Sequence, residues 1–152
     1  MIAFLITRSL RYFSIIGNSL NRRTLLYDKD VGRAAVLAVS HPAAAGQVFN
    51  VTDGTFHSVQ DVIVAICNAL GRRPPRFSLP LPPIRLAVGL VEDTAKAFGF
   101  RPPINRSTVD KYTEDIAVSG EKIRKVLGFK PEFDLMSGWQ QTIQEMRRNG
   151  DL

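Results

Sequence analysis

Apolar positions change their period several times along these 152 residues, and each change marks a structural boundary. The clearest helical stretch opens at Ser58. Val59, Val62, Ile63, Ile66, Ala69 and Leu70 recur at intervals of three and four, which gathers them on one face and predicts a helix over 58–70. Ser58 and Asp61 have capping-box spacing, although Glu or Gln is the usual partner, and Gly71 offers a left-handed stop. Just upstream, 47–51 reads as a compact strand closed by a turn at Asp53-Gly54, so 47–70 has the strand–turn–helix order of an α/β layer. Earlier, residues 2–10 read as the end of a helix. Tyr12, Phe13, Ile15 and Ile16 predict a strand over 12–16, and Thr24 to Tyr27 a second over 24–27. A helix over 30–40 follows, capped by Asp28 or Asp30 and ended by His41-Pro42. It is apolar on most faces and is expected to pack on more than one side.

Downstream, Arg76 to Leu79 is a brief extended run and a helix is predicted over 84–98. The greasiest stretch, 79–91, is broken by prolines and holds Arg85; it reads as a loop leading into a buried helix. Segment 104–117 carries no clear assignment. Ser119 predicts the start of a short helix bearing Ile123, Val126 and Leu127, stopped by Gly128. Asp134 or Ser137 leads into a final amphipathic helix over 135–147, with Trp139, Ile143 and Met146 at i, i+4 and i+7.

Composition narrows the classes. With 45% hydrophobic and 22% charged residues, the chain has a globular balance and the length of one domain. Cys67 is the single cysteine and sits on an apolar helix stripe; with only His41 and His57 beside it, neither a disulfide framework nor a zinc site is available. A reducing, cytoplasmic setting is expected. No run approaches the ~20 apolar residues of a bilayer span. The net charge of +6 suits nucleic acid, an anionic membrane face or a phosphorylated small ligand. Basic residues come in scattered pairs, at 22–23, 72–73 and 147–148, without an aromatic-interleaved stripe, so no nucleic-acid surface is expected.

Arg23 is the strongest single candidate for chemistry. It follows a polar loop and precedes an apolar run, where a guanidinium fork could grip a phosphate; a solvated surface arginine fits the same pattern. Asp53, His57 and Ser58 have the residue types of a hydrolytic triad, but a turn and a helix cap account for all three.

Arg23 followed by Tyr27-Asp28-Lys29-Asp30-Val31 resembles a motif of the extended short-chain dehydrogenase/reductases, the NAD-dependent epimerase/dehydratase family. There a characteristic Arg precedes a strand of the form Tyr/His-Val-x-Asp-Val/Leu; Asp28 departs from it, placing a charge where the family prefers valine. Val48 to Gly54 with Ser58 to Val62 resembles the family's late strand and helix. Glu121 to Phe129, Pro131 and Gly138-Trp139 to Thr142 resemble its closing motifs, with Ser119-Gly120-Glu121 in place of Asp-x-Ser. The resemblance implies an incomplete Rossmann-type α/β fold that retains a late edge strand and the mostly helical substrate-binding region. It implies that Arg23 contacts the diphosphate of a UDP-sugar or related nucleotide-sugar, and that Ser14 and Ile16 meet the base through main-chain groups, although an ordinary edge strand is an alternative. A second phosphate-binding arginine has no match in register; Arg106 and Lys111 are nearby substitutes.

Two family features are absent from the sequence. No glycine fingerprint follows a first strand, and Tyr12, Tyr27 and Tyr112 are followed four residues later by Ile16, Val31 and Ile116 rather than lysine. The resemblance covers the later half of a typical member. NAD or NADP is therefore expected in the intact parent, and none for this chain alone. The expected partner is the missing N-terminal half or a homologous chain. A non-catalytic ligand-binding or structural module of the same superfamily is the alternative.

Overall fold

The structure, a computed structural model, describes residues 15–16, 19–75, 78–102, 105, 107, 110 and 114–152. The helix expected at 2–10, the first residues of the 12–16 strand and much of 104–117 lie outside the described residues. In chain order the elements are β1 (Ile15–Ile16), β2 (Arg22–Arg23), α1 (Asp28–Ser40), a 3-10 turn (Pro42–Ala44), β3 (His57–Ser58), α2 (Val59–Leu70), β4 (Ser78–Leu79), α3 (Leu81–Ala97), α4 (Glu121–Leu127) and α5 (Leu135–Asn149). β1 runs parallel to β4, and β2 runs antiparallel to β3 with Arg22 opposite Ser58 and Arg23 opposite His57. The fold is mostly helical, an incomplete Rossmann-type α/β arrangement.

Two helices follow directly from their local chemistry. In α2 the Ser58 hydroxyl accepts from the Asp61 amide at 3.0 Å while the Asp61 carboxylate accepts from the Ser58 amide at 2.9 Å, completing the capping box; Gly71 closes the helix at φ 71°. In α5, Asp134 and Ser137 form the same reciprocal pair. α2 packs along α5, burying Ala65, Ile66, Cys67 and Ile143 completely. A second core gathers Ala34 from α1 and Ile123, Leu127 and Phe129 from α4 and its exit, with Phe49 and Val51 against them.

Other boundaries differ from the sequence expectation. The N-cap of α1 is Tyr27, with no side-chain cap bond; Asp28 and Asp30 lie inside the first turn, where carboxylates favour the helix dipole. Asp28 is exposed and accepts from the Lys29 amide at 2.8 Å, so its charge needs no repacking of the core. The N-cap of α4 is Gly120, and Ser119 accepts from the Glu121 amide at 3.2 Å from one position earlier. α3 begins three residues before the expected 84, because Pro82 and Pro83 occupy the first turn, whose amides have no intrahelical acceptor to lose. Nor is α3 buried: Gly89 is its only fully buried residue.

Two predicted strands do not form. The run 24–27 is unpaired as a strand because the partners, His57–Ser58 and Ile116, stand opposite 22–23 instead. Residues 47–51 carry no strand pairing, yet their exposure alternates: Phe49 and Val51 pack inward while Val48 is 83% exposed. A parallel edge strand exists only through its neighbour's hydrogen bonds. α1 is similarly one-sided, with Ala34, Leu37 and Ala38 packed and Val39 92% exposed, against the expectation of burial on several sides.

Gly120 is required by close approach. A Cβ there would lie 2.5 Å from the Thr52 hydroxyl oxygen and 3.3 Å from the Thr52 amide nitrogen. Thr52 is buried and its hydroxyl accepts from the Gly54 amide at 3.1 Å, so it has little room to retreat. Gly120→Ala is expected to destabilise by about 1–3 kcal/mol in urea denaturation. Gly32→Ala, facing open space on α1, should be neutral or stabilising by up to ~1 kcal/mol.

Candidate functional site

β2 is held on two sides. β3 pairs with it antiparallel, and Arg23 makes a parallel bridge to Ile116, whose amide donates to the Arg22 carbonyl at 2.9 Å. The Asp115 carboxylate accepts from the Arg22 amide, and the Val118 amide donates to the Thr24 hydroxyl at 3.3 Å. Arg23, half-buried, donates through Nη1 to the carbonyls of Glu114 and, at 3.2 Å, Arg22. Its guanidinium thus braces the 114–118 segment against β2. Arg22 stacks its guanidinium 5.5 Å from the centre of the Phe56 ring.

Beside β2 lies a cleft of about 150 Å³, lined by the hydroxyl residues Thr24, Thr52, Thr55 and Ser119 and by Arg124 and Glu121. A second, of about 320 Å³, has the aromatic walls Tyr27, Phe133 and Trp139 with Asp28, Asp53 and Glu145 at its margins. Here Tyr27 donates to Glu145 at 3.1 Å and Lys29 pairs with Glu145 at 2.9 Å. Burial first, then the Glu145 carboxylate, pushes the Tyr27 phenol above its ordinary pKa, further from phenolate chemistry near neutrality. The Lys29 bond chiefly holds Glu145 below the usual carboxylate range.

The wall between core and cleft is organised by Asp30, which is fully buried. Its carboxylate accepts from the Glu132 amide at 3.1 Å and the Phe133 amide at 3.0 Å, and from Arg33 at 2.7 Å. Burial alone would raise this carboxyl, but the two amides and the Arg33 guanidinium outweigh it and hold it below its ordinary value. Asp30 is the acidic residue of the Tyr27-to-Val31 motif, and its part there is structural. It fixes the turn that presents Phe133 4.6 Å from the Tyr27 ring.

Asp53 and His57 form a side-chain hydrogen bond, both largely buried, while the Ser58 hydroxyl turns to Asp61 at 2.7 Å. Serine and histidine therefore have different partners, and the three residues are a turn and a cap. Of the sequence candidates, Arg23 sits on β2 and Ile16 on β1, opposite Leu79; Ser14 and Arg106 lie outside the described residues. The roles of Asp30 and Arg124 were missed. The family motif, whose acidic position falls on Asp30 rather than Asp28, is the available signal for Asp30; none marks Arg124, whose cleft draws on several separate segments.

The described residues do not fit a dinucleotide. A pyrophosphate needs a helix start with approachable amides and no competing anion. Asp28 and Asp30 open α1, Asp61 opens α2, Glu121 opens α4 and Asp134 caps α5, while α3 opens on prolines. Among the described residues no group of acidic, His and Cys side chains could hold a metal ion, and no helix is long and apolar enough to cross a membrane.

No protein-family model matches the chain. It is 28% identical over 145 residues to the protein y4nL of Sinorhizobium fredii, covering 91% of this chain and 40% of that protein. It is 30% identical over 124 residues to a UDP-glucose 4-epimerase of Vibrio cholerae, covering 82% of this chain and 34% of the enzyme. Among solved structures, a UDP-glucose 4-epimerase of Bifidobacterium longum in complex with NAD+ and UDP superposes with a TM-score of 0.62 at 18% identity, over 99% of this chain and 39% of that one. The chain thus spans well under half the length of the relatives it matches. Fold, motif order and sequence relationship together point to the NAD-dependent epimerase/dehydratase superfamily, the extended short-chain dehydrogenase/reductases, of which this chain matches a partial, C-terminal-like portion.

Proposed function

We propose that this chain is the nucleotide-sugar-binding part of an NAD(P)-dependent epimerase or dehydratase. In this reading Arg23 contacts the substrate diphosphate, main-chain groups of Ser14 and Ile16 meet the base edge, and Arg106 adds positive charge. The observation that supports it is the double clamp on β2, which fixes the Arg23 backbone between β3 and Ile116. The UDP-glucose 4-epimerase of V. cholerae and the UDP-bound structure from B. longum support the substrate class. In this reading the dinucleotide is held outside these 152 residues, by an N-terminal half or a homologous chain. The unpaired run 47–51 and the exposed Val36, Val39 and Val48 are where such an α/β half would add. A second reading, a non-catalytic module of the same superfamily, draws on the carbonyls of Glu114 and Arg22 that already engage Arg23.

The two readings separate when the chain is recombined with a dinucleotide-binding half. Arg23→Ala is expected to weaken nucleotide-sugar binding by about 1.5–3 kcal/mol, the range for hydrogen bonds to charged groups. Lysine should rescue only in part, since it lacks the planar fork. NAD affinity, measured by calorimetry on the same samples, should not change. An unchanged nucleotide-sugar constant, or equal losses for both ligands, would assign Arg23 to bracing the 114–118 segment and favour the non-catalytic module.

A further inference from the structure

Helix α3 presents an apolar face that nothing among the described residues covers. At 100° per residue, Leu86, Ala87, Leu90, Val91, Thr94 and Ala97 fall within one arc of about 140°. Leu86 is 68% exposed and Leu90 60%. Thr94 does not break the arc, because its hydroxyl is satisfied by donating back to the carbonyls of Leu90 at 2.7 Å and Val91 at 3.1 Å. The exposed rings of Phe98 and Phe100 extend the surface past the helix end. The helix's charges, Arg85, Glu92, Asp93 and Lys96, all lie outside the arc, with Arg85 paired to Asp110 and Lys96 to Glu92.

Charge identifies the occupant. Between residues 72 and 106 the sequence holds seven basic residues against two acidic ones, nearly all of the chain's +6 excess. Arg72 and Arg73 precede the helix by eight to nine positions in sequence, Arg101 follows it by four, and all three are exposed. A second copy meeting this face would bring two like-charged segments together, whereas an anionic surface would be attracted to each of them. At 17 residues α3 is about 25 Å long, the length of a helix that lies in an interface rather than crossing it. Its own two basic and two acidic side chains balance, so the attraction to an anionic surface comes from Arg72, Arg73 and Arg101. We propose that α3 and the Phe98–Arg101 tail dock on an anionic lipid bilayer, with the Leu86–Ala97 arc and both Phe rings at the acyl boundary and the arginines among the headgroups. This docking stands independently of the nucleotide-sugar reading.

The test uses the full 152-residue chain with vesicles of phosphatidylcholine alone or mixed with phosphatidylglycerol. Co-sedimentation with the anionic vesicles, weakened by salt and several-fold lower on the neutral ones, is the expected result. A Leu90→Trp variant should shift its emission to shorter wavelength only with anionic vesicles. The double variant Leu86→Asp/Leu90→Asp should lower the bound fraction about tenfold or more while leaving the urea midpoint unchanged, since both side chains are exposed. Equal sedimentation of wild type and double variant would overturn the proposal, as would absence of binding. So would a concentration-dependent dimer that the double variant dissolves without vesicle binding, which would give this face to a second copy.

Discussion

Replacing Asp30 with alanine is expected to lower the stability of the fold by about 3–5 kcal/mol, the range for removing one partner of a buried charged cluster. Three effects combine. The Glu132 and Phe133 amides lose their acceptor, the half-exposed Arg33 guanidinium loses its 2.7 Å bond but keeps its pair with Glu132, and a fully buried site becomes a cavity. Asp30→Asn separates charge from shape. Its carbonyl oxygen can still accept, but its NH2 group would confront an amide donor, so roughly half the loss should remain. The pH dependence has a definite sign. The folded-state carboxyl is held below its ordinary value, so its contribution is fully present above about pH 4 and disappears as pH falls through the lower folded value. Urea midpoints of wild type and Asp30→Asn at a series of pH values should therefore converge in acid. A wild-type advantage that persists undiminished at pH 2 would show that the charge of Asp30 is not what holds the turn.

Ile143→Ala should have the next largest effect, about 2–5 kcal/mol, with the value set by how far α2 and α5 can close the space. Ile143 is completely enclosed and lies on the α5 face that packs along α2, where Ala65, Ile66 and Cys67 are also fully buried. Met146, one turn on, is only half-buried, and its replacement by alanine should cost about 1 kcal/mol. Trp139, the single tryptophan, sits one turn before Ile143 and reports the transition by fluorescence. A loss below about 1 kcal/mol for Ile143→Ala would mean that the two helices do not share a rigid core.

The helices α2 and α5 were legible because everything that defines them lies within a few residues: the caps at Ser58 and Asp134, the repeat of apolar positions, and for α2 the glycine stop. The strands were not, because pairing is decided by the neighbour. Thr24 to Tyr27 has good strand composition, yet the ladder falls on Arg22–Arg23, where His57–Ser58 and Ile116 happen to stand. α3 misled in a different way. Leu and Val in quantity suggested burial, but composition does not say whether anything arrives to cover them. For the candidate site, Arg23 lies on the paired strand β2 itself rather than just before a strand, and its carbonyl partner at Glu114 lies 91 residues away and leaves no local trace. Local sequence marks Asp30 only as a cap for the same reason; its acceptor role depends on amides 102 and 103 positions further on.

That separation sets an order of events during folding. Closing a loop of about 100 residues costs entropy that grows only as the logarithm of length, but the cost falls before any contact across it rewards the chain. α2 and α5 can begin from their own termini, each with a complete capping box. α1 has no side-chain cap, and its first turn is secured by Glu132 and Phe133. It is therefore a late-setting element, and its amides should open to solvent exchange together with those of the distant turn, as one cooperative unit rather than as a helix fraying alone.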